Sequence, residues 1–307
     1  MTIAYISHRE CYQHDTGEGH PENARRLSAI EDRLVETGLL DVLRYIEAPE
    51  VTESQLLRVH TRSYLEALER NAPTTGFARL DPDTVIGPAS LLAARRAAGA
   101  IVVAVDLVLS GEMESAFCSV RPPGHHAESS RAMGFCLYNN IAVGAAHALE
   151  EHGLKRVAIV DFDVHHGNGT EDIFEDDYRV LFCSTFQHPF YPFTALLHAA
   201  ENRVNVPLDA TAGSAEFRAA VTDHWLPALE NFAPEMVFVS AGFDAHRDDD
   251  MSNVSLTDAD FTWVTERIVE VARKSASGRI VSALEGGYEF NSLARCVESH
   301  IRVLMGL

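Results

Sequence analysis

The chain has 307 residues, 46% of them apolar and 23% charged, the profile of a globular protein with ample core. Its formal net charge is −20, with lysine only at Lys155 and Lys274, so its surface repels a phosphate backbone and argues against direct nucleic-acid binding. Five cysteines (Cys11, Cys118, Cys136, Cys183, Cys296), odd in number and without C-x-x-C spacing, argue against a disulfide scaffold or a thiolate zinc site and point to a reducing, cytoplasmic setting.

In chain order, strands are expected near 3–7, 115–120, 157–163, 179–185, 236–244 and 279–287, each a short run rich in β-branched and aromatic residues. Helices are expected over 22–38, 53–70, 90–111, 139–153, 214–232 and 257–275, with Gly38, Gly111, Gly153 and Gly278 placed as helix stops. The N-terminus "MTIAYISHREC" lacks the basic segment and apolar core of a signal peptide. The most apolar stretch, 97–109, is too short to span a bilayer and is interrupted by Asp106, so no membrane association is expected. Strands alternating with helices predict an α/β fold, a parallel sheet covered on both faces. No repeat or linker divides the chain, and residues 1–307 are expected to form a single domain.

Polar residues gather where the strands end: Arg121 to His126, Asp161 to His166, Ser184, Asp244, and Glu285 to Tyr288. Active groups of parallel sheets collect at the carboxyl ends of strands, so this distribution points to catalysis. In "VAIVDFDVHHGNGTEDIF" (157–174), Asp161, Asp163 and His165 share one face if the strand persists to 165. Buried charges need a partner, and a metal ion is the natural one. With Asp244 from "SAGFDAH", Asp163 and His165 make a three-ligand O/N site open to water, suited to catalytic zinc and also to Fe(II) or Co(II).

The turn "RPPGHHA" presents His125 and His126 side by side, suited to proton transfer near neutral pH. Asp161 and Asn168 are available as their partners, and an aspartate holds its histidine more cationic than an asparagine does. Tyr288, after two glycines in "LEGGYE", can offer a hydroxyl opposite the metal to stabilise an oxyanion.

Together these motifs resemble the histone deacetylase family of the arginase/deacetylase superfamily, in its class II-type and bacterial branch. The matching pieces run in family order: "GHPE…RL" (19–27), "RPPGHHA" (121–127), "GFCLYNNIAVGA" (134–145), "DFDVHHGNGT" (161–170), "FYP" (190–192), "AGFDAHRDD" (241–249) and "LEGGY" (284–288). The resemblance implies a three-layer α/β/α sandwich around an eight-stranded parallel sheet, and zinc-dependent hydrolysis of N-acetyl amides. It implies zinc on Asp163, His165 and Asp244, with His126 as general base and then acid, and His125 with Asp161 as electrostatic support. Tyr288 would polarise the acetyl carbonyl. Phe135 and Tyr191 would line a tunnel, the Gly134 carbonyl would accept from the substrate amide, and Arg26 would sit near an inner acetate-release pocket. A structural potassium ion would be held by Asp161, Asp163, His165 and Ser184 with nearby carbonyls.

Three departures concern the rim. Phe186 stands where the family usually has histidine, the loop after "FYP" reads "FTALLHAAENR", and the stretch after Asp244 reads "DDDMSNV" (248–254) instead of a glycine-containing segment. Polyamine-selecting relatives tend to carry an acid at the position of Met251, so the expected substrate is an N-acetyl-lysine peptide or protein. A small acetylated amine is the alternative, with Asp249 or Asp250 as candidate cation-recognising groups. An arginase-like dimanganese site would need additional paired aspartates, and the short "AGFDAH" segment does not supply the expected second carboxylate; a non-catalytic acyl-ligand reader would be expected to have lost a site residue. Bacterial relatives often associate, which leaves a homo-oligomer open.

Overall fold

A computed structural model of the chain describes residues 2–194 and 200–307. Its strands are β1 (Ile3–Ser7), β2 (Arg44–Glu47), β3 (Ala78–Arg79), β4 (Val85–Ile86), β5 (Ser115–Cys118), β6 (Val157–Asp161), β7 (Val180–Gln187), β8 (Arg203–Leu208), β9 (Met236–Ala241) and β10 (Ile280–Leu284). Eight of them form one sheet in the order β2-β1-β5-β10-β9-β6-β7-β8, and every pairing is parallel. β3 and β4 make a separate antiparallel pair.

The inner strands are predominantly apolar because both faces are covered: "IAYIS", "VAIVD", "MVFVSA" and "IVSAL" are buried at every position. The two strands of the eight-stranded sheet not expected from sequence are its edges. β2 reads "RYIE" and is mostly exposed, and β8 carries Pro207, which an edge strand tolerates because one side needs no ladder bond. Neither carries a continuous apolar run that would mark it as a strand.

The helices are α1 (Arg25–Glu36), α2 (Glu53–Leu56), α3 (Arg62–Asn71), α4 (Ser90–Leu109), α5 (Asn140–Glu150), α6 (Asn168–Phe174), α7 (Ser214–Ala220), α8 (Leu226–Phe232), α9 (Asp258–Ser275) and α10 (Phe290–Met305). α4 lies on β1, β5 and β10 and α5 on β6 and β9, while α1, α10 and α9 pack in a row on the opposite face. The architecture is a three-layer α/β/α sandwich.

The single helix expected over 53–70 is two. Thr61 caps α3 by accepting from the Tyr64 amide at 3.3 Å, and its own amide is drawn away to the Ser129 carbonyl. The helix expected over 214–232 is interrupted by a wider π turn at 221–225, next to Pro227, whose ring lacks the amide hydrogen a regular turn needs. The apolar stripe of α10 is interrupted in sequence because its buried face includes Glu298 and His300, the latter held between Thr265 Oγ1 and Ser282 Oγ at 2.8 and 2.9 Å. No helix among the described residues is long and apolar enough to cross a membrane.

Candidate active site

The strands β5, β10, β9, β6 and β7 are neighbours in the sheet, and the loops leaving their carboxyl ends converge. β6 ends at Asp161 and does not persist to 165. Asp161 Oδ1 accepts from the Asp163 amide at 3.1 Å and Asp163 Oδ1 from the His165 amide at 2.9 Å. These side-chain turns curl the chain off the sheet. The expected common face is therefore replaced by a divided one: Asp163 and His165 turn toward Asp244, and Asp161 toward His125.

Asp163, His165 and Asp244 are buried, and their ligand atoms all lie within 4.8 Å of one another. His165 Nδ1 is 3.1 Å from both Asp163 Oδ1 and Asp244 Oδ2, yet it carries at most one hydrogen to share between them. A cation at this point would satisfy all three groups. Two glycines let the backbone approach these carboxylates closely: a Cβ on Gly242 would come 2.0 Å from Asp163 Oδ2, and one on Gly286 would come 2.1 Å from Asp244 Oδ2. The donor set and its glycine-walled cradle fit a divalent ion of the zinc or iron type. Among the protein groups alone, burial and the Asp163 charge push Asp244 up to about 6. Burial opposes charging of His165, but Asp163 and Asp244 outweigh it and raise the imidazole to about 10.

The paired histidines differ as their partners do. His125 Nδ1 lies 2.9 Å from Asp161 Oδ2, and His126 Nδ1 lies 2.8 Å from Asn168 Oδ1. Asn168 donates its Nδ2 to Glu128 Oε1 at 2.8 Å, which turns its oxygen to His126. His126 Nδ1 therefore carries the hydrogen, leaving the lone pair on Nε2. Burial disfavours the charged form of both rings. For His125 the charges of Asp161, Asp163 and Glu285 overcome it and hold the imidazolium well above its ordinary range. For His126 the neighbouring charges of His125 and His165 add to burial and hold it well below. One cationic and one neutral imidazole thus stand with ring centres 4.0 Å apart.

Tyr288 is placed by Arg26 and Asp249. Arg26 donates Nε to the Gly287 carbonyl at 2.6 Å and Nη2 to the Glu285 carbonyl, and its guanidinium lies 4.8 Å from the Tyr288 ring centre. Asp249 accepts from the amides of Tyr288, Glu289 and Met251 at 2.6, 3.0 and 3.0 Å. This corrects one expectation. Asp249 is buried and spent on backbone, so it does not recruit a cationic tail, whereas Asp250 is exposed.

A cavity of about 310 Å³ opens onto these groups. His125, His126 and His165 face it, Phe135 and Tyr191 wall it, and Met251, Tyr288 and Gly134 line it as well. Tyr191 stands edge-on to His126 at 5.2 Å, and Phe135 edge-on to Tyr288 at 6.0 Å. The sequence reading gave no role to two further lining residues. Phe190 stacks on His165 at 5.5 Å, and Asp83 accepts from the Gly134 amide at 3.2 Å. The "FYP" motif could have singled out Phe190, but "LDPDT" reads only as a turn, and its approach to residue 134 is a purely tertiary fact.

Ser184 pairs with Asp161 in the ladder and is fully buried, 3.4 Å from His166 Nδ1. Phe186, in place of the expected histidine, packs its ring 4.4 Å from that of His166. Of the unusual loop at 193–203, residues 195–199 lie outside the described residues.

A family model of the histone deacetylase domain matches residues 20–304. The histone deacetylase-like amidohydrolase of Pseudomonas aeruginosa is 37% identical, covering 94% of this chain and 76% of its own. The polyamine deacetylase HDAC10 of Homo sapiens is 37% identical over 95% of this chain and 46% of its own length. The solved structure of the HDA15 HD domain matches with a TM-score of 0.93 at 34% identity, over 100% of this chain and 90% of that one.

Proposed function

The chain belongs to the histone deacetylase family, and from that membership we propose that it is a zinc-dependent amidohydrolase that removes acetyl groups from N-ε-acetyl-lysine in peptides or proteins. The observation that carries the reading is the division of labour between the two histidines, one held cationic and one neutral, beside a buried three-ligand site. Asp163, His165 and Asp244 would hold the zinc, with Fe(II) as the alternative metal. Bound there, it supplies a Lewis acid that acidifies water and polarises an acyl oxygen.

The residues of the chain divide the remaining work. His126 Nε2 takes a proton from the water that adds to the acyl carbon, and returns it to nitrogen as the C–N bond breaks. The products are acetate and a free amine. His125, kept cationic by Asp161, stabilises negative charge developing beside it, and Asn168 fixes the tautomer of His126. Tyr288 donates its hydroxyl hydrogen to the acyl oxygen, supported from beneath by Arg26. Phe135 and Tyr191 exclude water around the aliphatic chain, and the Gly134 carbonyl takes the substrate amide. Asp161, Asp163, His165 and Ser184 would hold a structural potassium ion together with nearby backbone carbonyls. Five unpaired, buried thiols support a reducing, cytoplasmic setting.

Met251 supports the lysine reading, because it places a thioether, not a carboxylate, on the cavity wall. The test is kcat/KM on an acetyl-lysine peptide and an acetylated polyamine, side by side, with released acetate as the readout. A preference for the peptide is expected. A preference for the polyamine would replace the substrate assignment, and turnover of neither would reject the proposed activity.

A further inference from the structure

Glu285 is a fully buried carboxylate with no arginine or lysine ion pair among the described residues. Burying such a group costs several kcal/mol unless its oxygens are satisfied. They are, and by one segment above all. Glu285 Oε2 accepts from the amides of Gly124 at 2.7 Å and His125 at 3.1 Å, and Oε1 accepts from Ser240 Oγ at 3.3 Å. The opposite side of the same turn is closed by α5. A Cβ on Gly124 would come 2.5 Å from the Asn140 amide, and Asn140 Nδ2 donates to the Pro122 carbonyl at 3.0 Å. The main chain of residue 285 is tied in turn to the Ala241 carbonyl at the end of β9 and, through its own carbonyl, to Arg26 beneath Tyr288. One side chain thus joins the histidine turn to the tyrosine loop.

We infer that Glu285 is a positioning residue for the tandem histidines, its carboxylate clamping the backbone of Gly124 and His125 so that both imidazoles keep their place relative to Tyr288. The inference rests on the deacetylase reading above. A displacement of about 1 Å at a reacting group can cost about 10²-fold in rate, which is what an apolar residue here would permit.

The test compares Glu285→Leu, Glu285→Gln and Glu285→Asp in the full chain. Gln keeps the reach: its carbonyl accepts both amides and its NH₂ donates to Ser240. Asp keeps the charge but is one methylene short. The expected order of kcat is Gln within about tenfold of the wild type, Asp lower than Gln, and Leu down about 10²-fold, with KM and bound metal little changed. Asp matching the wild type, Gln as impaired as Leu, or loss of metal in any variant would overturn the positioning role. If Leu fails to fold, the Gln and Asp pair decides. The ¹H–¹⁵N signal of the His125 Nδ1 hydrogen, bonded to Asp161, is the second readout, retained in Gln and shifted in Asp. It decides the matter even if the wild-type chain hydrolyses no acetyl amide, a result that would reject the function and not the clamp.

Discussion

Tyr288→Phe removes one oxygen and little else. The ring keeps its place over Arg26 at 4.8 Å and its edge contact with Phe135 at 6.0 Å. Its hydroxyl makes no hydrogen bond to protein among the described residues, and burial raises its pKa well above the ordinary value, so it stays a neutral donor. The folded state therefore loses nothing that the substrate-free protein uses, and Tm should stay within about 2 °C. The transition state loses a hydrogen bond to a developing oxyanion in a water-poor cavity, a loss of about 10²–10³ in kcat, or about 2.7–4 kcal/mol. Steady-state kinetics on an acetyl-lysine peptide, with Tm and metal content measured on the same samples, separates these effects. A variant with kcat within about threefold of the wild type would show that Tyr288 does not touch the reacting carbonyl.

Other outcomes follow from the same geometry. His126 is held below its ordinary value of 6.5, so its neutral, proton-accepting form persists as the pH falls, and a bound cation strengthens the effect. The acid limb of kcat/KM should lie below pH 6.5, and a limb above it would exclude a neutral His126 as the base. Gly286→Ala drives a methyl against the carboxylates of Asp244 and Asp163 and should weaken metal binding by about 10–100-fold, read as metal content after dialysis against a competing chelator. Met251→Glu places a carboxylate on the cavity wall and should raise kcat/KM for an acetylated polyamine relative to the peptide by about tenfold, a shift that 0.5 M salt diminishes. Asp249→Asn should instead lower kcat on both substrates alike, because Asp249 holds the Tyr288 loop.

The parts of this molecule legible in its sequence are those where one local pattern has one physical cause. β1, β6, β9 and β10 are predominantly apolar runs because both faces are covered, and the polar ends of β6, β9 and β10 mark the site. β2 and β8 lacked that cause, being half-exposed at the edges, and α10 hid behind a buried Glu298 and His300. Within the site, Asp163, His165 and Asp244 meet as the spacing suggested, but by side-chain turns and not along a strand face. The inward turn of Asp249 and the approach of Asp83 to Gly134 depend on contacts between segments far apart in the chain. No periodicity records such contacts.

The most direct test of metal-dependent deacetylation by this site is a titration. Protein stripped of metal is reloaded with zinc, and in parallel with Fe(II), while hydrolysis of an acetyl-lysine peptide is followed in the wild type and in Asp244→Asn. A deacetylase working through Asp163, His165 and Asp244 is inactive when stripped, regains activity with an end point at one ion per chain, and in the variant recovers neither stoichiometric binding nor turnover. Full activity of the stripped protein, or equal recovery in Asp244→Asn, would contradict it.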